Sequence, residues 1–252
     1  MKNMNQQYSW QARSELLLGE ERIKRLRESH ILLLGLGGVG GYAAEILVRS
    51  GIGKLTIIDM DSVNETNINR QLIALHSTVG HSKVSEWSKR LLDINPNLEL
   101  ISNDVFIRDE ETERLLASDA YDYVIDAIDT LSPKVHLIKS LVEHDLPFIS
   151  VMGMGAKFDP RKIKIDRMDR VKNCPLARFI RKRLRKLDIP LKFQVVYSEE
   201  LPDDRAILLT DDEQNKKSIT GTIAQNPAVA GCYAAYAALD WITKGGTLYR
   251  DE

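Results

Sequence analysis

Five glycines fall within seven residues, Gly35-Leu36-Gly37-Gly38-Val39-Gly40-Gly41, directly after the apolar run Ile31 to Leu34. Four consecutive aliphatic residues bounded by turn formers read as a strand buried on both faces, the pattern of a parallel sheet. Tyr42 to Arg49 then carries a helical pattern, Gly51 and Gly53 break it, and Leu55 to Ile58 makes a second buried strand ending at Asp59. A strand, a glycine turn, a helix and a second strand form a βαβ unit, which makes α/β the fold class. Glycine at such a turn lets main-chain N–H groups approach a phosphate at the helix N-terminus. Gly35, Gly37, Gly38 and Gly40 would line it, and Asp59 is placed to accept hydrogen bonds from ribose hydroxyls. Together they point to a nucleotide without saying which one; the alternative is a structural turn on a sheet that has lost its ligand.

The alternation continues along the chain. Helices are predicted over 83–92, 110–116 and 133–142, and strands over 98–102, 123–128 and 148–152, with turns at Asn95-Pro96 and Pro147. Ahead of the first strand, Leu16, Leu17, Ile23 and Leu26 give a loose helical stripe over 14–27. The result is a Rossmann-like, mostly parallel sheet with helices on both faces through residue 158. Beyond it the pattern changes to an exposed strand over 162–168, a basic helix over 176–187, a short strand over 193–197 and a mobile, acid-rich loop from Glu199 to Lys217. An alanine-rich helix follows, with Asn226-Pro227 supplying cap and first turn, and reaches Thr243 before Gly245-Gly246. Residues 1–158 are thus expected to form the nucleotide-binding core, and 159–252 an α+β extension whose final helix packs on the same domain.

Lys and Arg number 35 against 36 Asp and Glu, a net charge of -1, so any nucleic-acid contact has to be local. Cys174 and Cys232 are the only cysteines, too few for a disulfide framework or a four-cysteine zinc site, and the five histidines show no HxH or HExxH spacing. A buried, inert thiol is the expectation for Cys232. The polar stretch Met1 to Ser14 lacks the apolar core of a secretory signal, and no run approaches the roughly 18 apolar residues of a membrane span. A soluble, cytoplasmic protein without structural zinc is expected.

The segment after Asp59 narrows the nucleotide. Asp59-Met60-Asp61-Ser62-Val63, Asn67-Ile68-Asn69-Arg70-Gln71 and Val79-Gly80-His81-Ser82-Lys83 resemble the adenylation domain of the ThiF/MoeB and ubiquitin-activating superfamily. A dehydrogenase has no need of such a segment. Arg70 and Lys83 can neutralise a triphosphate and the charge that develops when a carboxylate attacks its α-phosphate. The resemblance implies ATP with Mg²⁺: Asp59 holding the ribose with Asp61 beside it, Asn67, Arg70, Gln71 and Lys83 lining the phosphates, and Asp129 of Val124-Ile125-Asp126-Ala127-Ile128-Asp129 positioning the metal. It further implies that Arg13 reaches across a homodimer into the partner's site. For each charged residue the plainer alternative is a solvated surface group.

Superfamily members that activate ubiquitin-like proteins usually carry CxxC pairs for zinc, and this chain has none. A closer resemblance is to the branch that cyclises threonylcarbamoyladenosine in tRNA. It rests on Arg13-Ser14-Glu15-Leu16-Leu17-Leu18-Gly19-Glu20, Gly37-Gly38-Val39-Gly40, Thr66-Asn67-Ile68-Asn69-Arg70-Gln71, Asp126-Ala127-Ile128-Asp129 and Pro175-Leu176-Ala177-Arg178. The branch implies adenylation of the threonyl carboxylate, then ring closure by the neighbouring carbamoyl group with release of AMP; a tethered second nucleophile makes an enzyme nucleophile unnecessary. It also allows a monovalent cation at the site and a sulfur-transfer partner protein. The predicted helix carrying Arg178, Arg181, Lys182, Arg183, Arg185 and Lys186 suits tRNA phosphates, and equally a solvated helix with Phe179, Ile180 and Leu184 inward. Activation of a ubiquitin-like or sulfur-carrier protein, NAD-linked oxidoreduction and a catalytically silent nucleotide-binding scaffold stay open.

Overall fold

The computed structural model describes residues 10–213 and 216–246. The chain opens with α1 (Ala12–Leu18) and α2 (Glu20–Glu28), then alternates through β1 (His30–Leu34), α3 (Gly40–Ser50), β2 (Lys54–Ile58), α4 (Lys83–Ile94), β3 (Glu99–Asn103), α5 (Asp109–Ala117), β4 (Tyr123–Asp126), α6 (Leu131–Glu143) and β5 (Phe148–Val151). It continues with β6 (Ile163–Arg167), α7 (Pro175–Lys186), β7 (Gln194–Ser198), β8 (Ile207–Glu213), β9 (Lys216–Thr220) and α8 (Gln225–Thr243).

All five residues of β1 are buried, and they alternate between two cores. Ile31 and Leu33 join residues of α2, α3, α4 and α8, whereas Leu32 and Leu34 join residues of α6 and α7. That is the period of two expected of a strand covered on both faces. Seven strands form the sheet in the order β3-β2-β1-β4-β5-β7-β6. Every neighbouring pair is parallel except β6 and β7, which run antiparallel at the edge. The chain winds outward from β1 to β3 and then returns to β4 on the other side of β1. This reversal opens a crevice beyond the carboxyl ends of β1 and β4, where α/β sheets hold ligands. Among the described residues no helix is long and apolar enough to cross a membrane.

The sheet does not stop at residue 158, because β7 pairs with β5 and β6 pairs with β7. Several expectations need correction. The helix expected over 14–27 is two, broken at Gly19, whose φ of 82° no other residue type adopts easily. The acidic stretch expected to be a mobile loop folds into a short 3₁₀ turn, Asp204–Ala206, and the antiparallel hairpin β8–β9; residues 214 and 215 lie outside the described residues. Asn226 does not cap the last helix: α8 starts two residues earlier, at Gln225 with Ala224 at the cap, and Asn226 is buried in the first turn. Cys232 is exposed on α8 rather than buried, and Cys174 is the buried thiol, its Sγ accepting the Ala177 N–H. Phe179, expected inward on α7, is 47% exposed, while Ile180 and Leu184 are buried as expected.

Candidate active site

The turn after β1 is built by close contacts that only glycine permits. Gly35 has φ +88°, and its N–H donates to the Ile58 carbonyl at 2.8 Å, joining the turn to the end of β2. A Cβ on Gly40 would lie 1.8 Å from the Gly35 carbonyl oxygen, so the first turn of α3 sits directly on the end of β1. The helix N-terminus, the positive end of its dipole, is thereby set at the crevice. α8 closes the other side. Its residue Gly231 lies where a Cβ would meet the Val39 carbonyl oxygen at 2.4 Å, and Pro227 packs against Gly38.

Asp59 follows β2 and locks the turn. Its Oδ2 accepts the Leu36 N–H at 2.6 Å and its Oδ1 the Asp61 N–H at 2.8 Å. Burial raises the Asp59 carboxyl above its ordinary pKa, and the Lys83 ammonium and these two N–H donors oppose the shift. Lys83 is almost wholly buried at the first position of α4; its Nζ lies 2.7 Å from Asp61 Oδ2 and 3.9 Å from Asp59 Oδ1. A buried ammonium facing two carboxylates beside a glycine turn can exchange a carboxylate for a phosphate oxygen at little geometric cost.

Arg70 lies over the glycine turn, its Cγ 3.3 Å from the Cβ position of Gly38, and its Nη1 donates to the Thr66 carbonyl and Asn69 Oδ1 at 2.8 Å each. Burial lowers the Arg70 pKa, and the Asp129 carboxylate works against that shift. Gln71 is buried beside Gly37, its Nε2 3.7 Å from the Cβ position there, and its Oε1 is a buried acceptor without a hydrogen-bond partner. Asn67 is committed to the local turn: its Oδ1 accepts the Asn64 N–H at 3.1 Å, and Asn64 in turn caps the 3₁₀ helix Glu65–Asn67. Asp129 stands exposed in the β4–α6 turn, where its Oδ1 accepts the Thr130 hydroxyl at 3.3 Å.

The structure therefore brings Gly35, Gly37, Gly38, Gly40, Asp59, Asp61, Arg70, Gln71, Lys83 and Asp129 to the crevice, with Asn67 in the turn that carries Arg70. It does not bring Arg13 there. Gln11, two residues earlier, packs at the far end of α3, where a Cβ on Gly51 would lie 1.9 Å from its Nε2, and Arg27 holds its Oε1. Eleven helical residues separate the two ends by about 16 Å.

Two supports have roles that the sequence did not reveal. Lys134 and Asp126 form an ion pair at 2.9 Å with no solvent exposure on either side chain; Ser150 Oγ donates to Asp126 Oδ2 at 2.6 Å. The pair is tied into the turn that carries Asp129, since Asp126 Oδ1 accepts the Ile128 N–H at 3.1 Å and Lys134 Nζ donates to the Ile128 carbonyl at 2.9 Å. The second is Asn226, whose Oδ1 and Nδ2 are both buried without partners one residue before Pro227. A lysine in an otherwise ordinary helical stretch gives no sign that it will be buried. The Asn226-Pro227 pair does stand out, but it reads equally well as a helix start.

Fold and turn define a Rossmann-like protein of the kind that holds a phosphate at a helix N-terminus. The model of the ThiF family matches residues 8–251, and the chain belongs to that family. It is 43% identical to the tRNA threonylcarbamoyladenosine dehydratase of Bacillus subtilis over 191 residues, 76% of this chain and 75% of that one. It is 38% identical to the Escherichia coli protein of the same name over 169 residues, 67% of this chain and 63% of that one. The crystal structure of the E. coli dehydratase, TcdA, in complex with ATP superposes with a TM-score of 0.84 at 31% identity, covering 94% of this chain and 96% of that one. The match to the E. coli molybdopterin-synthase adenylyltransferase, 32% over 125 residues, spans about half of each chain.

Proposed function

We propose that this chain is an ATP-dependent tRNA threonylcarbamoyladenosine dehydratase. The observation that carries the reading is the near-complete structural match to an ATP-bound dehydratase, with the glycine turn, Asp59, Arg70 and Lys83 gathered at one crevice. Activation of a carrier protein is the weaker reading, because likeness to such an enzyme covers only half of the chain.

The chemistry asks little of the protein beyond position and charge. The threonyl carboxylate attacks the α-phosphorus of ATP and pyrophosphate leaves; the carbamoyl group then attacks the activated carbonyl and AMP leaves, so the nucleoside has lost one water. In this reading the N–H groups of the glycine turn hold phosphate oxygens, and Asp59 accepts from the ribose hydroxyls with Asp61 beside it. Arg70 and Lys83 stabilise the pentacoordinate phosphorus, with Asn67 and Gln71 alongside. Lys83 gives up Asp61 for phosphate as the nucleotide enters.

Mg²⁺ commonly binds through one or two carboxylates together with substrate phosphates, and Asp129 at the mouth of the crevice suits that donor set. The metal would supply charge neutralisation of the leaving pyrophosphate. The orphaned Gln71 Oε1 and the glycine turn, which a single Cβ would fill, fit a ligand in the crevice. Arg13 acts in the site of the second subunit of a homodimer, because its own turn is out of reach. tRNA lies along Arg178, Arg181, Lys182, Arg183, Arg185 and Lys186, in the cytoplasm, and a sulfur-transfer protein is a further partner.

The test is AMP formation by the purified protein with tRNA carrying threonylcarbamoyladenosine and with the same tRNA unmodified, the nucleoside being followed by mass. AMP with loss of one water on the modified tRNA alone supports the reading. Pyrophosphate exchange that appears only with a carrier protein ending in Gly-Gly overturns it.

A further inference from the structure

Outside the nucleotide crevice, a cavity of about 830 Å³ opens between the β3–α5 connection, the N-terminus of α6 and the flank of α7. Two aromatic rings stand in its walls, Phe106 at 38% and Phe179 at 47% exposure. Four cations join them, Arg108, Lys182, Arg183 and Lys186, and no carboxylate is among the described lining residues. The volume is that of a small-molecule site.

The arrangement is built rather than incidental. Arg183 Nη1 donates to Ser132 Oγ at 2.7 Å, which fixes α7 against the start of α6. The Arg108 guanidinium lies 4.8 Å over the Phe106 ring, and that of Arg178 5.2 Å over Phe179. Thr130 caps α6, a helix of 13 residues, without a side-chain hydrogen bond to it, and the residues from Thr130 to Pro133 line the same cavity. Thr130 is also the residue after Asp129, so this wall is continuous with the turn that borders the crevice.

A phosphate alone would use the cations and leave the rings in water. An apolar ligand would use the rings and leave the cations unpaired. A nucleotide whose base is not stacked on its neighbours uses both, with its π-face on a ring or guanidinium plane and its phosphate on the lysines and arginines. We infer that the cavity seats an unpaired nucleotide of the tRNA adjacent to the modified adenosine, its base stacked on Phe106 or Phe179. The identity of the RNA rests on the dehydratase reading; the aromatic and cationic lining does not. The basic face of α7 then holds the backbone, and the cavity sets which nucleotide of the strand arrives at the crevice.

The experiment uses the whole protein and a stem-loop RNA carrying threonylcarbamoyladenosine in its loop, with 5-iodouridine placed in turn at each flanking position. Irradiation followed by peptide mass analysis is expected to place the cross-link on Phe106 or Phe179. In the Phe106→Ala/Phe179→Ala variant that cross-link is lost, and KM for the modified RNA rises about tenfold while ATP affinity and kcat hold. Cross-links that map only elsewhere on the chain, with KM unchanged in the variant, overturn the proposal. A wild-type protein that cross-links at these rings but releases no AMP sustains the RNA site and refutes the dehydratase reading, so the two fail separately.

Discussion

Lys134 Nζ lies 2.9 Å from Asp126 Oδ2, and neither side chain has any exposure to solvent. A buried pair adds little net stability, but losing one partner strands a charge in the core. Lys134→Met is therefore expected to cost about 3–5 kcal/mol in urea unfolding. The double variant Lys134→Met/Asp126→Asn should recover much of that loss. A single-variant cost under about 1 kcal/mol would show that the turn carrying Asp129 does not depend on this pair.

The glycines of the turn are not equivalent. A Cβ on Gly40 would collide with the Gly35 carbonyl oxygen at 1.8 Å, whereas one on Gly37 would meet Gln71 Nε2 at an ordinary 3.7 Å. Gly40→Ala is expected to lower the thermal midpoint by several degrees. Gly37→Ala should leave the midpoint unchanged and weaken ATP binding in calorimetry, because in the proposed site its methyl group would stand where a phosphate approaches. Unchanged ATP affinity in a well-folded Gly37→Ala protein would separate this residue from the nucleotide.

If Arg13 works in the second subunit's site, two inactive variants complement one another. Equal mixing of Arg13→Ala and Arg70→Ala proteins, followed by subunit exchange, is expected to restore roughly a quarter of wild-type activity, since each mixed dimer of a two-fold assembly regains one complete site. A mixture as inactive as its components places Arg13 outside the partner's chemistry.

His30 couples stability to pH. Its Nε2 is 2.8 Å from Thr56 Oγ1 and its Nδ1 3.1 Å from the Ala120 carbonyl, and burial lowers its pKa below the ordinary 6.5, with nearby Asp119 opposing. The unfolded chain takes up a proton near 6.5 and the folded chain resists it, so this contribution is intact above 6.5 and is lost as the pH falls below it. The urea midpoint should drop between about pH 7 and pH 5.5, and the drop should shrink in His30→Gln. Equal drops in the two proteins would assign the titration elsewhere.

The nucleotide half of the molecule was legible because its signals are local. Glycine clustering and short aliphatic runs gave the predicted helix over 42–49, against the observed Gly40–Ser50, and the strand over 55–58, against Lys54–Ile58. What escaped was set by contacts distant in sequence. The β8–β9 hairpin sits in a charge-rich stretch, and Lys134 becomes buried only because Asp126 meets it across the turn. Phe179 has the spacing of a core residue on α7, but the helix turns it toward the cavity beside α6. Arg13 belongs to the same class from the opposite direction: its motif was readable, while its distance from its own glycine turn appears only once α1 is seen at the far end of α3.

The last described helix forms one wall of the site made by the first strand, and this sets an order of events during synthesis. A ribosome releases the glycine turn early and Pro227 and Gly231 late, so a nascent chain carries the phosphate loop long before it has the surface against which Gly38 and Val39 rest. Over that interval Ala43 and Leu47, which end in the core shared with the alanines of α8, lack their partner. On the proposed reading, ATP is held by a molecule in which α8 has already closed against the glycine turn.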